Sequence, residues 1–317
     1  MELFDLGYFV AGGEMASFVK AAPSRKKPEE FPMMKASSRN VFSVLAAMTA
    51  LLLAGNNVRA GDLANLSSRG SVGKGDNVLI GGIIVTGSAT KRVILRALGG
   101  SVSVNGAVGA GTLQDPILDL YDSSSHLLQT NDDWRYGPEL EIEASTLAPT
   151  DDYECVIIAA LDPANYTAII RGYAHSTGIA VVEAYDPDPT KGSRLAEIST
   201  RGNVQLGDQL LIGGFIVANG PTKVLLRAIG PELSAFNVPN ALQNPTLELR
   251  DENGALLEAN DDWKTDNRQA ISDTGAAPKD DRESAIVRTV DPGQYTALVR
   301  GKDNTTGIAL VEIYRLP

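Results

Sequence analysis

Oxygen-bearing side chains collect at two places in this chain, "SHLLQTNDDW" (125–134) and "GALLEANDDW" (254–263), and each run ends on one of the only two tryptophans. Each run follows a turn sequence, "DSSS" or "DENG". Reading the first as a four-residue hairpin turn pairs Tyr121 with His126 and brings Asp115 opposite Asp132. The same count brings Asn244 opposite Asp261. Two sets of four ligand-type residues result: Asp115, Asn131, Asp132 and Asp133, then Asn244, Asn260, Asp261 and Asp262. Carboxylate and amide oxygens in that number suit calcium, which takes six to eight of them, although the spacing is not that of an EF-hand loop. The same residue types close loops through Asx turns, so ligation and loop closure are both open readings. Trp134 and Trp263 are expected to cap the core, with a stacking face for a sugar as the alternative.

A second pattern is charge within apolar strands. In "IAVVEAY", period-two alternation puts Ile179, Val181, Glu183 and Tyr185 on one face, and Ile308, Leu310, Glu312 and Tyr314 repeat it. A carboxylate on such a face needs a partner, because an unpaired buried charge costs several kcal/mol. Arg96 or Arg171 is the expected partner of Glu183, and Arg227 or Arg300 that of Glu312. A structural ion pair that fixes strand register is the leading reading; a carboxylate or sugar pocket is the other.

Other catalytic chemistry is thinly represented. The two histidines, His126 and His175, fall at turns, and Ala255 and Asn304 replace them in the second run of the same pattern. The single cysteine, Cys155, cannot form an intramolecular disulfide and has Ser284 at its matching position, which argues against a catalytic thiol. No Ser-His-Asp or zinc constellation is complete in either half.

These residues are carried by a duplication. "LANLSSRGSVGKGDNVLIGGIIV" (63–85) matches "LAEISTRGNVQLGDQLLIGGFIV" (195–217), and "NYTAIIRGYAHSTGIAVVEAY" (165–185) matches "QYTALVRGKDNTTGIALVEIY" (294–314). Each copy is of ordinary domain length, so the expectation is two modules, 61–185 and 195–317, joined by the linker "DPDPTKGSR" (186–194). Short β-branched runs separated by Gly, Pro, Asn and Asp predict strands. "DPAN" (162–165) and "DPGQ" (291–294) read as hairpin turns with proline pre-setting φ. Only "PELEIEAS" (138–145) suggests a helix, and a short one. The expected fold class is all-β: two tandem antiparallel β-sandwich domains, jelly-roll or immunoglobulin-like, after a signal segment.

The order "PTLELRDENGALLEANDDW", "DPGQYTALVRG" and "TGIALVEIY" resembles the bacterial pre-peptidase C-terminal domain family. The likeness covers the C-terminal two-thirds of each copy. It implies a secreted β-sandwich accessory module, calcium-stabilised in some relatives and matrix-binding in others, without catalysis. The opening "ISTRG…GD…IGGF" stretch lies outside that pattern.

The N-terminal region reads as a leader. Lys35 and Arg39 precede the apolar run "VFSVLAAMTALLLAG" (41–55), and Val58 and Ala60 form a small-x-small site with cleavage after Ala60. Met33 or Met34 is the expected true start. The apolar run is shorter than the roughly 20 residues of a membrane span. The formal charge of −11 excludes modes of binding that neutralise nucleic-acid phosphates. Removing 1–60 takes 7 of 28 basic and 5 of 39 acidic residues and leaves a net of −13. The expectation is therefore a secreted, cell-surface or periplasmic non-enzymatic protein with an extracellular glycan, matrix or protein ligand. A structural subunit assembled through strand edges is the alternative, and a hydrolase using a single-copy site a minor one.

Overall fold

A computed structural model describes residues 62–104, 106–188, 192–218 and 220–316. The leader, its cleavage site and the middle of the linker lie outside the described residues. The first repeat contributes β1 (Asp62–Val72), β2 (Leu79–Gly87), β3 (Lys91–Leu98), the two-residue strands β4 (Ser103–Val104) and β5 (Ala107–Val108), and β6 (Pro116–Tyr121). It continues with β7 (Leu127–Asn131), the helix α1 (Glu139–Ala144), β8 (Cys155–Leu161), β9 (Ala164–Gly172) and β10 (Gly178–Tyr185). The second contributes β11 (Ser193–Val204), β12 (Leu211–Ala218), β13 (Thr222–Ile229), β14 (Pro245–Asp251) and β15 (Leu256–Asn260). The helix α2 (Arg268–Ser272), β16 (Ser284–Val290), β17 (Gly293–Gly301) and β18 (Gly307–Arg315) complete it. The all-β antiparallel class expected from the alternating patterns is what forms. Among the described residues no helix is long and apolar enough to cross a membrane.

The opening strands do not stay within their own repeats. β1 pairs on one edge with β10 of the first repeat and on the other with β12 of the second. In the same way β11 lies between β18 and β2. One row of strands therefore runs β8-β3-β10-β1-β12-β17-β14-β15, and the other β16-β13-β18-β11-β2-β9-β6-β7. The two rows touch where Ser71 pairs with Asn203. The hydrogen-bonded sheet is continuous across both copies, so the linker at 186–194 marks a boundary in sequence that two strand pairings cross.

The repeated "IGG" is what permits the exchange. A Cβ on Gly82 would lie 2.3 Å from Ser199 Oγ of β11, and one on Gly214 would lie 2.7 Å from Ser67 Oγ of β1. Only a residue without a side chain leaves room for the serine of the incoming strand at these two places. Burial then follows the exchange. Leu63 and Leu66 of β1 and Leu195 of β11 join inward residues of both repeats, such as Ile83, Val182, Phe215 and Val311, in a single apolar core.

The expected hairpins at 162–165 and 291–294 do not form. β8 pairs with β3, whereas β9 pairs with β2 and β6, so the Asp-Pro turn crosses from one row of strands to the other. β16 and β17 are separated in the same manner. Tyr166 Oη donates to the Asp162 carbonyl at 2.9 Å and Tyr295 Oη to that of Asp291 at 2.8 Å, which braces each crossing. Both flanking strands are apolar on the side that faces the core, and that pattern fits an arch as well as a hairpin.

Alternation along β10 is as the sequence implies. Ala180, Val182 and Ala184 enter the main core, while Ile179 and Val181 belong to a separate outer cluster with Val102 and Val104. The face carrying Glu183 and Tyr185 is thus the outer face of its sheet, roofed by the segment that contains α1.

Candidate functional site

The "NDDW" loops sit at the open ends of the β6–β7 and β14–β15 hairpins. The register differs from the sequence expectation. Tyr121 pairs with Leu127 rather than His126, and a bulge beyond it sets Leu118 opposite Asn131. Leu247 pairs with Asn260 in the second repeat. Asp115 and Asp132 are therefore not directly opposed. The carboxylates nevertheless converge: Asp115, Asp132 and Asp133 each place an oxygen within 4.8 Å of the other two, with Asp133 buried and the others half-buried.

The asparagines do not join them. Asn131 Oδ1 accepts the Val156 N–H at 2.9 Å and its Nδ2 donates to the Asp133 carbonyl at 3.0 Å. Asn260 repeats both bonds with Ala285 and Asp262 at 3.0 and 3.2 Å. Each amide ties the loop to the neighbouring strand β8 or β16, so the oxygen counted as a ligand is occupied by backbone. Asn131 and Asn260 are loop-closing residues.

The second repeat answers its charge differently. Asn244 replaces the first aspartate, and Lys302 Nζ lies 2.5 Å from Asp261 Oδ2. Its hydrogen bond and charge contact with Asp261 raise the Lys302 pKa. Asp262 is half-buried beside them. Tyr173 stands at the lysine's position in the first repeat, and the backbone there is the same: Tyr173 N–H donates to Asp115 O, and Lys302 N–H to Asn244 O, both at 2.9 Å. Three carboxylates thus gather in the first repeat where the second has two carboxylates and a lysine. Asn244 Oδ1 and Asp261 Oδ1 are enclosed and accept no hydrogen bond.

Trp134 and Trp263 are 2% and 6% exposed, which removes the stacking alternative. Trp134 packs with Ile94, Ile142, Val156 and Tyr185 on the outer face of the β8-β3-β10 sheet, under α1; Trp263 does so with Leu225, Ile271, Ala285 and Tyr314. Each indole Nε1 donates to a carbonyl, Asp151 O at 3.2 Å or Asp280 O at 3.1 Å. They cap an outer layer rather than the end of the central core. Cys155 Sγ lies 3.0 and 3.2 Å from the Pro116 and Asp132 carbonyls, and Ser284 Oγ donates to the matching Pro245 and Asp261 carbonyls. Burial pushes the Cys155 thiol well up, so it remains a protonated strut.

The strand charges are paired across register. Arg96 lies opposite Glu183, and Arg227 opposite Glu312. Arg96 Nε donates to Glu183 Oε2 at 2.7 Å, and Arg227 Nε to Glu312 Oε2 at 2.6 Å. Tyr185 and Tyr314 complete the networks, with their hydroxyls at 3.2 and 3.1 Å from the same glutamates. Each arginine also reaches a roof carbonyl, Leu147 O or Ala276 O. Arg171 and Arg300 are elsewhere. They belong to β9 and β17, in the other row of strands, where Arg171 pairs with Asp119 at 2.7 Å and Arg300 with Glu248 at 4.0 Å.

Several buried charges escaped the sequence reading. Glu154 takes the Gly99 and Ser101 N–H groups and the Ser101 hydroxyl, and Glu283 the N–H groups of Gly230 and Glu232. Burial, then the neighbouring Glu232, pushes Glu283 up to about 9. Glu197 on β11 faces Tyr314, and burial beside Glu312 pushes it up to about 8. Lys91, fully buried, pairs with Asp186 at 2.5 Å and so anchors the start of the linker. The signal available was a lone charge in an apolar run, as in "LAEIST". His126 lies 3.1 Å from Asp122 in an exposed turn, and His175 is exposed in another.

No family model matches the chain and no curated protein aligns with it. Among solved structures, an allantoicase from Saccharomyces cerevisiae is similar at 10% identity and a TM-score of 0.20, over 72% of this chain and 74% of that one. PNGF-II is similar at 11% identity and a TM-score of 0.21, over 81% of this chain and 57% of its own.

Proposed function

We propose that this is an exported, non-catalytic binding protein of two β-sandwich modules, in the manner of the pre-peptidase C-terminal domains it resembles, with a calcium ion held in the first repeat. The observation that carries the calcium reading is the pair of answers to one electrostatic problem. Asp115, Asp132 and Asp133 bring three carboxylates within 4.8 Å, while the second repeat neutralises the same corner with Lys302. Oxygen ligands on a half-buried, preformed loop suit a hard divalent cation. Binding would rigidify the end of the β6–β7 hairpin and present the loops around it to an extracellular glycan or protein. Export rests on the leader pattern and the acidic balance of the remainder. The test is thermal unfolding in calcium and in chelator: calcium at about 100 times its dissociation constant should add roughly 2.7 kcal/mol. An unchanged midpoint across millimolar calcium would leave the loop as a cap.

One observation favours assembly as a second reading. Among the described residues β7 is an edge strand paired only with β6, and its Leu127 and Leu128 are 53% and 44% exposed. An uncharged edge of that kind can accept another strand. Concentration-dependent sedimentation, suppressed by Leu128→Lys, would mark the protein as a structural subunit.

A further inference from the structure

The place where the two repeats meet carries a site of its own. Ser71 and Asn203 hold the same position in the two copies and pair with each other, so the approximate two-fold relation between repeats passes between them. Beside this point lies a cleft of about 280 Å³. Ser71, Gly73 and Thr177 of the first repeat and Asn203, Gln205 and Gln209 of the second line it. No charged or aromatic side chain takes part. Ser71 is 7% exposed and its hydroxyl is enclosed, without a hydrogen-bond partner among the described residues.

We propose that this cleft binds one neutral pyranose ring, a ligand class that deepens the binding reading above and rests on it. Hydroxyl and carboxamide groups each offer both a donor and an acceptor, as sugar hydroxyls do. Four such side chains without a charge, Thr177, Asn203, Gln205 and Gln209, match a ligand that is itself uncharged and rich in hydroxyls. The volume lies just below the roughly 300–1,000 Å³ of ordinary ligand pockets, room for one ring and no more. Neither repeat builds the cleft alone. The strand exchange has made the wall composite, and the repeats differ there: Gln205 and Gln209 in the second stand where the first has Gly73 and Asn77. The repeat relation therefore yields an asymmetric mouth, which can select one orientation of a ring.

Saturation-transfer NMR on the full chain tests this with glucose, galactose, N-acetylglucosamine and their methyl glycosides. Transfer to at least one of them is expected, and the comparison of free sugar with glycoside tells a free ligand from the end residue of a glycan. Gln209→Ala with Asn203→Ala should weaken that binding about tenfold, by loss of hydrogen bonds. Thr177→Arg, at an exposed position, should block the cleft without touching the core. The calcium-dependent melting shift is measured on the same samples and separates failure here from failure of the calcium reading. No transfer to any of these sugars, or transfer unchanged by both the double variant and Thr177→Arg in folded protein, would overturn the proposal.

Discussion

Glu197 offers the most quantitative test of the buried charge network. It lies on β11, 6% exposed, beside Glu312 and Tyr314, and the neighbouring Arg227 is already bonded to Glu312. Asn65 fills the same position in the first repeat, next to Tyr185, so the fold accepts a neutral amide there. Burial and the Glu312 charge push Glu197 from 4.5 to about 8. The folded value exceeds the unfolded one, so the stability contributed by the protonated form is complete below pH 4.5. It declines as pH rises toward 8 and is gone above. At about 1.36 kcal/mol per unit, the full swing is roughly 5 kcal/mol. Glu197→Gln keeps the shape and removes the proton equilibrium. Denaturant unfolding of both proteins at pH 4, 7 and 9 should show the variant gaining on the wild type as pH rises, steeply between 4.5 and 8. Stability curves that stay parallel across that window would refute the reasoning.

Four further outcomes follow from the buried contacts. Glu183→Ala should destabilise by about 3 kcal/mol, since it strands a half-buried arginine. Glu312→Ala should cost less, because Glu197 can ionise beside Arg227; the two midpoints in denaturant compare them. Cys155→Ser should leave the melting temperature nearly unchanged, since Ser284 already bridges the equivalent carbonyls, whereas Cys155→Ala should lower it. Gly82→Ala should cost about 1–3 kcal/mol by overpacking against Ser199, and Ser199→Ala should recover most of that. Strictly additive effects of those two substitutions would contradict the exchange of β11 onto the first repeat.

Local pattern carried much of this fold. The strand runs, the face shared by Glu183 and Tyr185, and the turns at 122–125 and 251–254 follow from alternation and turn chemistry, which act between near neighbours. The exchange of β1 and β11 did not emerge, because pairing partners are chosen by tertiary packing and "LANLSS" reads the same beside either β2 or β12. The unexplained "IGG" was its trace. The Asp-Pro arches failed for a related reason: a turn sequence reports a change of direction and not which sheet receives the next strand. At the loops, residue types pointed to three carboxylates that do converge in the first repeat, while one bulge was enough to shift the register. Asn131 could not be told from a ligand until its oxygen was seen to accept a backbone N–H. Lys302 was invisible from "NDDW" because it arrives from the turn that follows β17, forty residues away in sequence (302 against 262).

Calorimetric titration with calcium, on protein stripped by chelator, tests the central claim most directly. One ion should bind per chain, at the first repeat, and Asp132→Asn should abolish or greatly weaken it. Lys302→Ala should expose Asp261 and Asp262 and add a second, weaker site. No heat and no bound ion in the stripped wild type at millimolar calcium, or binding indifferent to Asp132→Asn, would contradict it.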